Sequence, residues 1–460
     1  MNILIDAYNI VRPHGTGVAT YGRNLASAAA GLGHRVDLLF GNQAGHARQP
    51  LLREIGLAEG DKAAAASGKR PRLAGQVAAA ATGVLAARRA QEIALSGEVI
   101  LPPGMAVPGA RYWNTPQLYG LANAAFRATG QMTRVTGPQS DLAHWTYPLP
   151  VKARGAANVY TLHDLVPLRL PHTTADHKKT YLALARRIAR EADHILTVSE
   201  HSRADIIRIL KVDEARITNC YQSTDIAALM SGVTEDQIGR KVEGLLGAPM
   251  RGYYLFFGAI EPKKNLARLL EGYLASGSPH PLVIVGAPGW GSGRDVALIE
   301  QFAALDDEKK RIRWLGFLPR QTLATVIAGA RGVVFPSLYE GFGLPVLEAM
   351  ALGTPVITSN TSSLPEVAGD AALLVDPLDA RTISHAILAL DSDDAAVGDL
   401  AQAGLAQAER FSMQAYRTRL AQFYSGLIGT VPPPAAPSAT AATPALSAAG
   451  QATPPTARAV

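Results

Sequence analysis

The stretch Pro336-Ser337-Leu338-Tyr339-Glu340-Gly341-Phe342-Gly343-Leu344-Pro345-Val346-Leu347-Glu348-Ala349-Met350-Ala351 restricts the possible folds more than any other part of the chain. The Gly332-Val333-Val334-Phe335 run before it reads as a short buried strand, and after it Val346, Leu347, Met350 and Leu352 recur at helical spacing. Pro345 falls in the first helical turn, where its missing N–H has no intrahelical partner to lose. Strand, glycine loop and helix start, in that order, make one unit of a parallel α/β sheet. Such a loop lets backbone N–H groups approach an anion, and the helix end adds a favourable dipole. Glu340 on the loop and Glu348 one turn into the helix bracket that position. Carboxylates repel phosphate, so their use is to grip hydroxyls on either side of it. A ribose and a hexose joined through pyrophosphate present hydroxyls in that arrangement.

A chain of 460 residues predicts two or three domains with room for proper cores. A net charge of +6 is too small to argue for a nucleic-acid partner, yet it permits contact with an anionic membrane surface. The single cysteine, Cys220, excludes an intrachain disulfide and a cysteine-cluster metal site. With no signal peptide at Met1-Asn2-Ile3-Leu4-Ile5-Asp6, it favours the reducing cytoplasm. No uncharged apolar run approaches the roughly 18–20 residues that span a bilayer.

Residues 2–6 predict a first parallel strand. A loop with His14-Gly15-Thr16-Gly17 follows, then a helix from about Thr20 and a second strand over 35–40. Gly15-x-Gly17-x-x-Thr20 fails as a dinucleotide fingerprint. Its glycines lie well beyond the strand, and Gly41-Asn42 stands where an acidic residue should follow the second strand. No G-x-x-x-x-G-K-[ST] occurs. Basic groups at Lys69-Arg70-Pro71-Arg72 and Arg88-Arg89 flank an uncharged segment, 73–87, which reads as a solvated surface helix or as one lying on anionic lipid. Further strands are expected over 142–145, 158–162 and 194–198, with helices over 176–192 and 204–210. His163 and Ser199 follow strand ends, where parallel α/β sheets bind ligands; a satisfied structural histidine is the competing reading. Residues 217–222 read as the last strand of the first domain, 226–250 as helix and linker, and Cys220 as a small buried residue.

A second doubly wound domain begins at Tyr253-Tyr254-Leu255-Phe256-Phe257, with further strands over 282–285, 312–315 and 355–358. Lys264, with Lys263 beside it, stands at a strand–loop–helix junction and suits a phosphate clamp; solvated surface lysines are the alternative. Ser363-x-x-Glu366 has the spacing of a capping box. Residues 395–428 read as two terminal helices, the later one carrying Phe411, Tyr416, Leu420, Phe423 and Tyr424. The Pro/Ala/Ser/Thr-rich residues 432–460 read as disordered or as a tether.

Glu340 and Glu348, with seven residues between them in a run that continues to Gly353-Thr354-Pro355-Val356-Ile357, resemble the E-x7-E signature of family-4 retaining glycosyltransferases. Gly258-x-x-Glu261-Pro262-x-Lys264-Asn265 resembles the family's diphosphate lysine motif. Leu162-His163-Asp164-Leu165 with Pro171, and Val198-Ser199-Glu200-x-Ser202, resemble two further family motifs. Two departures stand out: Ala259 occupies a position where some members carry arginine, and Gln222-Ser223-Thr224-Asp225 replaces the usual Asn-Gly-Val-Asp. The resemblance implies the GT-B architecture, an α/β fold of two doubly wound Rossmann-like domains facing across a cleft, here with a disordered C-terminal tail. It implies an acceptor-side domain over 1–225, a linker over 226–250 and a nucleotide-sugar domain over 251–410. A terminal helix over 411–430 and the tail over 431–460 complete the chain.

By the same resemblance, Lys264 holds the donor diphosphate with Lys263 as helper, and Glu348 holds the ribose. Glu340 and the backbone of Gly341, Phe342, Gly343 and Leu344 hold the donor sugar, His163 lies across the cleft, and Gly17 and Ser199 face the donor. His163, Lys264 and Glu340 are the expected catalytic residues, with no metal and no cofactor. The implied reaction is hexose transfer with retention from a nucleotide diphosphate sugar, GDP-mannose favoured, to a saccharide or lipid-linked saccharide acceptor of a cell-surface polysaccharide. The implied place is the cytoplasm, at the inner face of the membrane, with no nucleic-acid partner. A sugar phosphorylase, which would need pyridoxal phosphate, and a nucleotide-sugar epimerase are the neighbouring enzyme classes. A non-catalytic sugar-nucleotide subunit is the third alternative, and the presence of Lys264, Glu340 and Glu348 argues against it.

Overall fold

The computed structural model describes residues 1–11, 17–42, 49–59, 87–102, 104–305 and 311–428. The expected lipid-facing segment at 73–87, all but its last residue, lies outside the described residues, as do Gly15 and the tail from 429 onward. Lys69-Arg70-Pro71-Arg72 lies outside them as well, whereas Arg88–Arg89 forms a short strand, β3.

The second half of the chain folds around strands that sequence periodicity marks plainly. These are β12 (Tyr254–Phe257), β13 (Leu282–Val285), β14 (Ile312–Leu315), β15 (Gly332–Phe335), β16 (Val356–Ser359) and β17 (Leu373–Val375). They lie in the order β14-β13-β12-β15-β16-β17, every pairing parallel. All residues of β12, β13, β15 and β16 are buried, because crossover helices cover both faces of a parallel sheet. The connection reverses direction between β12 and β15, and the loops leaving those two neighbours splay apart at that point.

The first half repeats this plan. Here the strands are β1 (Asn2–Asp6), β2 (Arg35–Phe40), β4 (Gln91–Ile93), β5 (Arg111–Asn114), β7 (Leu142–Trp145), β9 (Ala157–Thr161), β10 (His194–Thr197) and β11 (Ile217–Asn219). Their order is β11-β10-β9-β7-β1-β2-β5-β4, parallel except for β4 on β5, with the reversal between β1 and β7. A small parallel sheet joins β3 to β6 (Thr133–Thr136) and β8 (Val151–Ala153).

Two segments tie the units together. Residues 226–250 do not span open space: the Glu235–Leu246 helix, closed at its start by a Thr234/Gln237 capping box, buries Ile238, Val242 and Leu246. A Cβ added at Gly329 would lie 2.7 Å from Val242, so this helix is packed onto the end of the Arg320–Ala328 helix of the second unit. After the Asp394–Glu409 helix, the Met413–Ile428 helix returns to the first unit and packs on the Gly17–Gly31 helix. There the Tyr424 hydroxyl meets His144 Nδ1 at 2.9 Å, and His144 Nε2 meets the Thr161 hydroxyl at 2.8 Å. Burial pushes His144 down to about 3, so a neutral ring occupies this network. Cys220 is buried as expected, its thiol pushed up to about 12 by burial. Among the described residues, no helix is long and apolar enough to cross a membrane.

Candidate functional site

The loops leaving β12 and β15 are stitched together before any side chain reaches outward. Leu338 N–H donates to the Lys263 carbonyl at 2.8 Å, and the Ser337 hydroxyl oxygen lies 2.9 Å from the same carbonyl. Pro262–Lys264 forms one 3-10 turn, and Asn265 follows in the left-handed region at φ 62°, a conformation asparagine tolerates better than most residues. The Asn265 amide donates to the carbonyls of Pro336 (3.0 Å) and Pro377 (2.7 Å), which locks the turn to the opposite loop.

This stitching brings Lys264 and Glu340 together. Lys264 Nζ lies 2.6 Å from Glu340 Oε1, Lys263 Nζ lies 3.3 Å from Oε2, and the Ser337 hydroxyl donates to Oε1 at 2.7 Å. Lys264 also stands 4.6 Å over the Phe335 ring. Glu340 is only 7% and Lys264 9% exposed, so the pair is held in a poorly hydrated corner of the cleft. Burial raises the Glu340 carboxyl, but Lys263 and Lys264 outweigh it and hold the group at about 2. Burial works against the Lys264 ammonium and lowers it, Glu340 offsetting part of that. For Lys263 burial is outweighed by Glu340, Asp164 and Glu261, which raise it. The two ammoniums neutralise Glu340, which offsets the repulsion expected between that carboxylate and a phosphate.

The two glycines of the loop serve different needs. A Cβ on Gly341 would lie 2.7 Å from the His163 carbonyl and 2.9 Å from Asp164 Oδ2, so close approach of the two units requires glycine. Gly343 has φ 108° and caps the Leu344–Ala351 helix, a backbone state that penalises any side chain. The N–H groups of Gly341, Phe342 and Gly343 have no hydrogen-bond partner among the described residues. Three successive unpaired donors at a helix start, beside two ammoniums, make an anion- and hydroxyl-binding surface.

Ser363 and Glu366 do not form the expected capping box. The Ser363 hydroxyl donates to the carbonyls of Glu340 and Phe342, both at 2.9 Å, and so supports the loop from below. The Glu366 carboxylate instead accepts the N–H groups of Glu200 (2.7 Å) and His201 (3.2 Å), the first residues of the Glu200–Leu210 helix across the cleft. The spacing is right for a local cap, but the Glu200 helix offers better-placed donors.

Glu348 lines the cleft and is half-buried. Burial pushes it up to about 7; the Arg320 guanidinium and the Thr224 hydroxyl oppose this, while Asp225 reinforces it. Arg320 is itself paired with Asp225. Thr224-Asp225 thus touches the site in spite of departing from the usual motif.

From the first unit, His163 lines the cleft and packs edge-on against Tyr21 at 4.8 Å. Its Nε2 lies 2.9 Å from the Thr146 carbonyl, which can only accept, so Nε2 carries the proton and Nδ1 keeps its lone pair. Burial lowers its pKa, with Thr146 and Asp164 opposing. Thr146 is fixed in turn by Asp6, which accepts from its N–H and hydroxyl. Burial pushes Asp6 up to about 6. Gly17 begins the first helix three residues earlier than expected and faces Leu344 across the cleft, 4.0 Å from its would-be Cβ.

Ser199 is the site residue that the structure places elsewhere. It is fully buried, caps the Glu200–Leu210 helix by accepting Ser202 N–H, and donates to the Gly341 carbonyl at 2.7 Å. Its hydroxyl is consumed by these bonds and does not line the cleft. Sequence reasoning missed Ser337, Thr146 and Arg320, as well as Ser362, whose hydroxyl accepts the Glu340 N–H at 3.0 Å; Ser337, Thr146 and Arg320 follow strand ends closely enough for position alone to have raised them.

The chain matches the family model of glycosyl transferases group 1 over residues 243–407 and that of glycosyltransferase family 4 over residues 15–227. It is 35% identical over 277 residues to the O-antigen chain mannosyltransferase B of Escherichia coli, covering 58% of this chain and 69% of that one. It is 28% identical over 318 residues to the D-inositol 3-phosphate glycosyltransferase of Corynebacterium efficiens, covering 64% and 73%. Among solved structures it resembles sucrose-phosphate synthase from Thermosynechococcus elongatus (TM-score 0.64, 20% identity, 93% and 99% covered). It also resembles HepE of Anabaena in complex with UDP and glucose (TM-score 0.61, 17% identity, 93% and 100% covered).

Proposed function

Since the chain belongs to the family-4 glycosyltransferases of GT-B fold, we propose that it moves a hexose, mannose by preference, from a nucleoside diphosphate sugar to a saccharide or lipid-linked saccharide with retention at the anomeric carbon. The observation that carries this reading is the Lys263–Lys264–Glu340 cluster beside the unpaired N–H groups of the 341–343 loop. As the anomeric C–O bond breaks, charge builds on the β-phosphate. The two lysines and the helix start offset it in a corner that holds little water. Both Glu340 oxygens are tied up by Lys263, Lys264 and Ser337, which blunts the carboxylate as a nucleophile and supports front-face departure with the leaving phosphate taking the acceptor proton. The acceptor then lies on the side of the first unit, near His163, and a lipid-linked acceptor puts the work at the inner face of a membrane. The mannosyltransferase name of the Escherichia coli relative favours GDP-mannose. The UDP complex of HepE makes UDP-glucose the control. A saturation-transfer NMR screen of GDP- and UDP-sugars should give GDP-mannose the strongest signal, with mannose transfer following; no binding of any nucleotide sugar would overturn the reading.

The charge arrangement predicts that turnover survives EDTA, because Lys263 and Lys264 supply the positive charge that a divalent cation would otherwise bring. Loss of activity on chelation with recovery on Mg²⁺ or Mn²⁺ contradicts this.

Glu348 gives the site a pH signature. Its empty-state carboxyl sits at about 7, whereas gripping a ribose diol requires the carboxylate. Affinity for a free nucleoside diphosphate should rise up to about tenfold per pH unit below 7 and level off above it. For folding the sign is opposite. The native state holds this proton more tightly than the unfolded chain, so the group costs stability as pH climbs from the ordinary glutamate value of about 4.5 through 7. Calorimetry across this range should show the affinity slope in the wild type and a flat profile in Glu348→Gln.

A further inference from the structure

The Gly341 carbonyl is held by two hydroxyls of the opposite unit. Ser199 donates to it at 2.7 Å and Ser202 at 3.1 Å, and both serines are fully buried. The carbonyls on either side, Glu340 and Phe342, are held by Ser363 of the second unit instead. Two further contacts dock the same helix against this loop: the Tyr339 hydroxyl donates to Asp205 at 2.6 Å, and Glu366 caps the N–H groups of Glu200 and His201. In a trans peptide the C=O of one residue and the N–H of the next point in opposite directions. Turning the Gly341 oxygen toward the serines therefore turns the Phe342 N–H, which has no partner among the described residues, away from them.

We propose that Ser199 and Ser202 are positioning residues for the transfer: by fixing the Gly341 carbonyl from the acceptor-side unit, they aim the Phe342 N–H at the transferred sugar. This rests on the functional reading above, and it assigns to the first unit a part in shaping the donor pocket of the second. Neither serine touches the donor, since their hydroxyls are spent on Gly341. Both bond one oxygen, so each backs up the other.

The test is the full chain carrying Ser199→Ala, Ser202→Ala or both, with thermal melting to verify the fold. Each single variant leaves one hydroxyl on the carbonyl and should lose less than about threefold in kcat, while the double variant should lose at least about tenfold. Affinity for the free nucleoside diphosphate, which has no sugar, should stay within about threefold in all of them. Ser202→Thr placed in the Ser199→Ala background keeps a hydroxyl and should behave as that single variant does. With intact GDP-mannose, saturation transfer to the sugar ring relative to the base should fall in the double variant. A folded double variant with wild-type kcat and sugar signal overturns the proposal, and so does one losing free-nucleotide affinity in step with kcat. A wild type that neither contacts nor transfers any nucleotide sugar overturns the functional reading instead, a separate outcome in the same experiment.

Discussion

Replacing Lys264 with alanine should lower turnover by about two to three orders of magnitude, the scale of removing a charged donor aimed at a developing anion. Lys264 Nζ is fixed by Glu340 at 2.6 Å and by the Phe335 ring, so it needs little rearrangement to meet the β-phosphate as charge builds. Arginine should not rescue it, because a planar guanidinium does not fit a slot cut for a compact ammonium over an aromatic face. Affinity for free nucleoside diphosphate should weaken by about ten- to a hundredfold, in keeping with the loss of a charge-assisted hydrogen bond of roughly 1.5–3 kcal/mol. Glu340→Ala should behave differently. It removes a group placed at the sugar and frees both lysines, so free-nucleotide binding should hold while turnover falls. Glu348→Ala should do the reverse and weaken nucleotide binding first. Calorimetry and single-turnover kinetics on the three variants decide this. Unchanged turnover in Lys264→Ala, or free-nucleotide binding lost in Glu340→Ala but kept in Glu348→Ala, would refute the assigned roles.

Ending the chain at residue 410 should prevent stable folding, whereas ending it at 430 should leave melting temperature and turnover nearly unchanged. The longer cut removes Phe411, Tyr416, Leu420, Phe423 and Tyr424, all buried. At about 1.5–3 kcal/mol each, their loss rivals the whole stability of a typical domain, about 5–15 kcal/mol. It also strips His144 and Arg419's acceptor, the Cys220 carbonyl, of partners. The shorter cut removes a Pro/Ala-rich segment with a single charge, Arg458. Indistinguishable melting curves for the two truncations would refute the role given to the terminal helix.

The strands of the second unit were legible because a parallel sheet covered on both faces reads as unbroken apolar runs, Tyr254–Phe257 and Leu282–Val285 above all. Lys264, Glu340 and Glu348 were legible because each stands where a strand gives way to a loop or helix. What local pattern could not show was pairing across distance. Lys264 meets Glu340 from 76 positions away and Glu366 reaches Glu200 from 166. Ser199 illustrates the limit: its place at a strand end marks it as important, but only the folded chain shows that its hydroxyl serves Gly341. The capping-box spacing of Ser363 and Glu366 misled for the same reason, since both side chains found stronger partners outside their own helix. The short strands β3 and β4 escaped notice because two or three residues carry no period.

The chain passes between the two units twice, near residues 220–225 and again near 411–413, and the two passages touch. The rings of Tyr221 and Phe411 are 5.3 Å apart, Phe342 packs 5.5 Å from Phe411, and the Ser223 hydroxyl meets Met413 sulfur. The two passages and the aromatic rings around them therefore form one seam between the units. Phe342 belongs both to that seam and to the glycine loop, so the packing of the seam bears directly on where the loop sits.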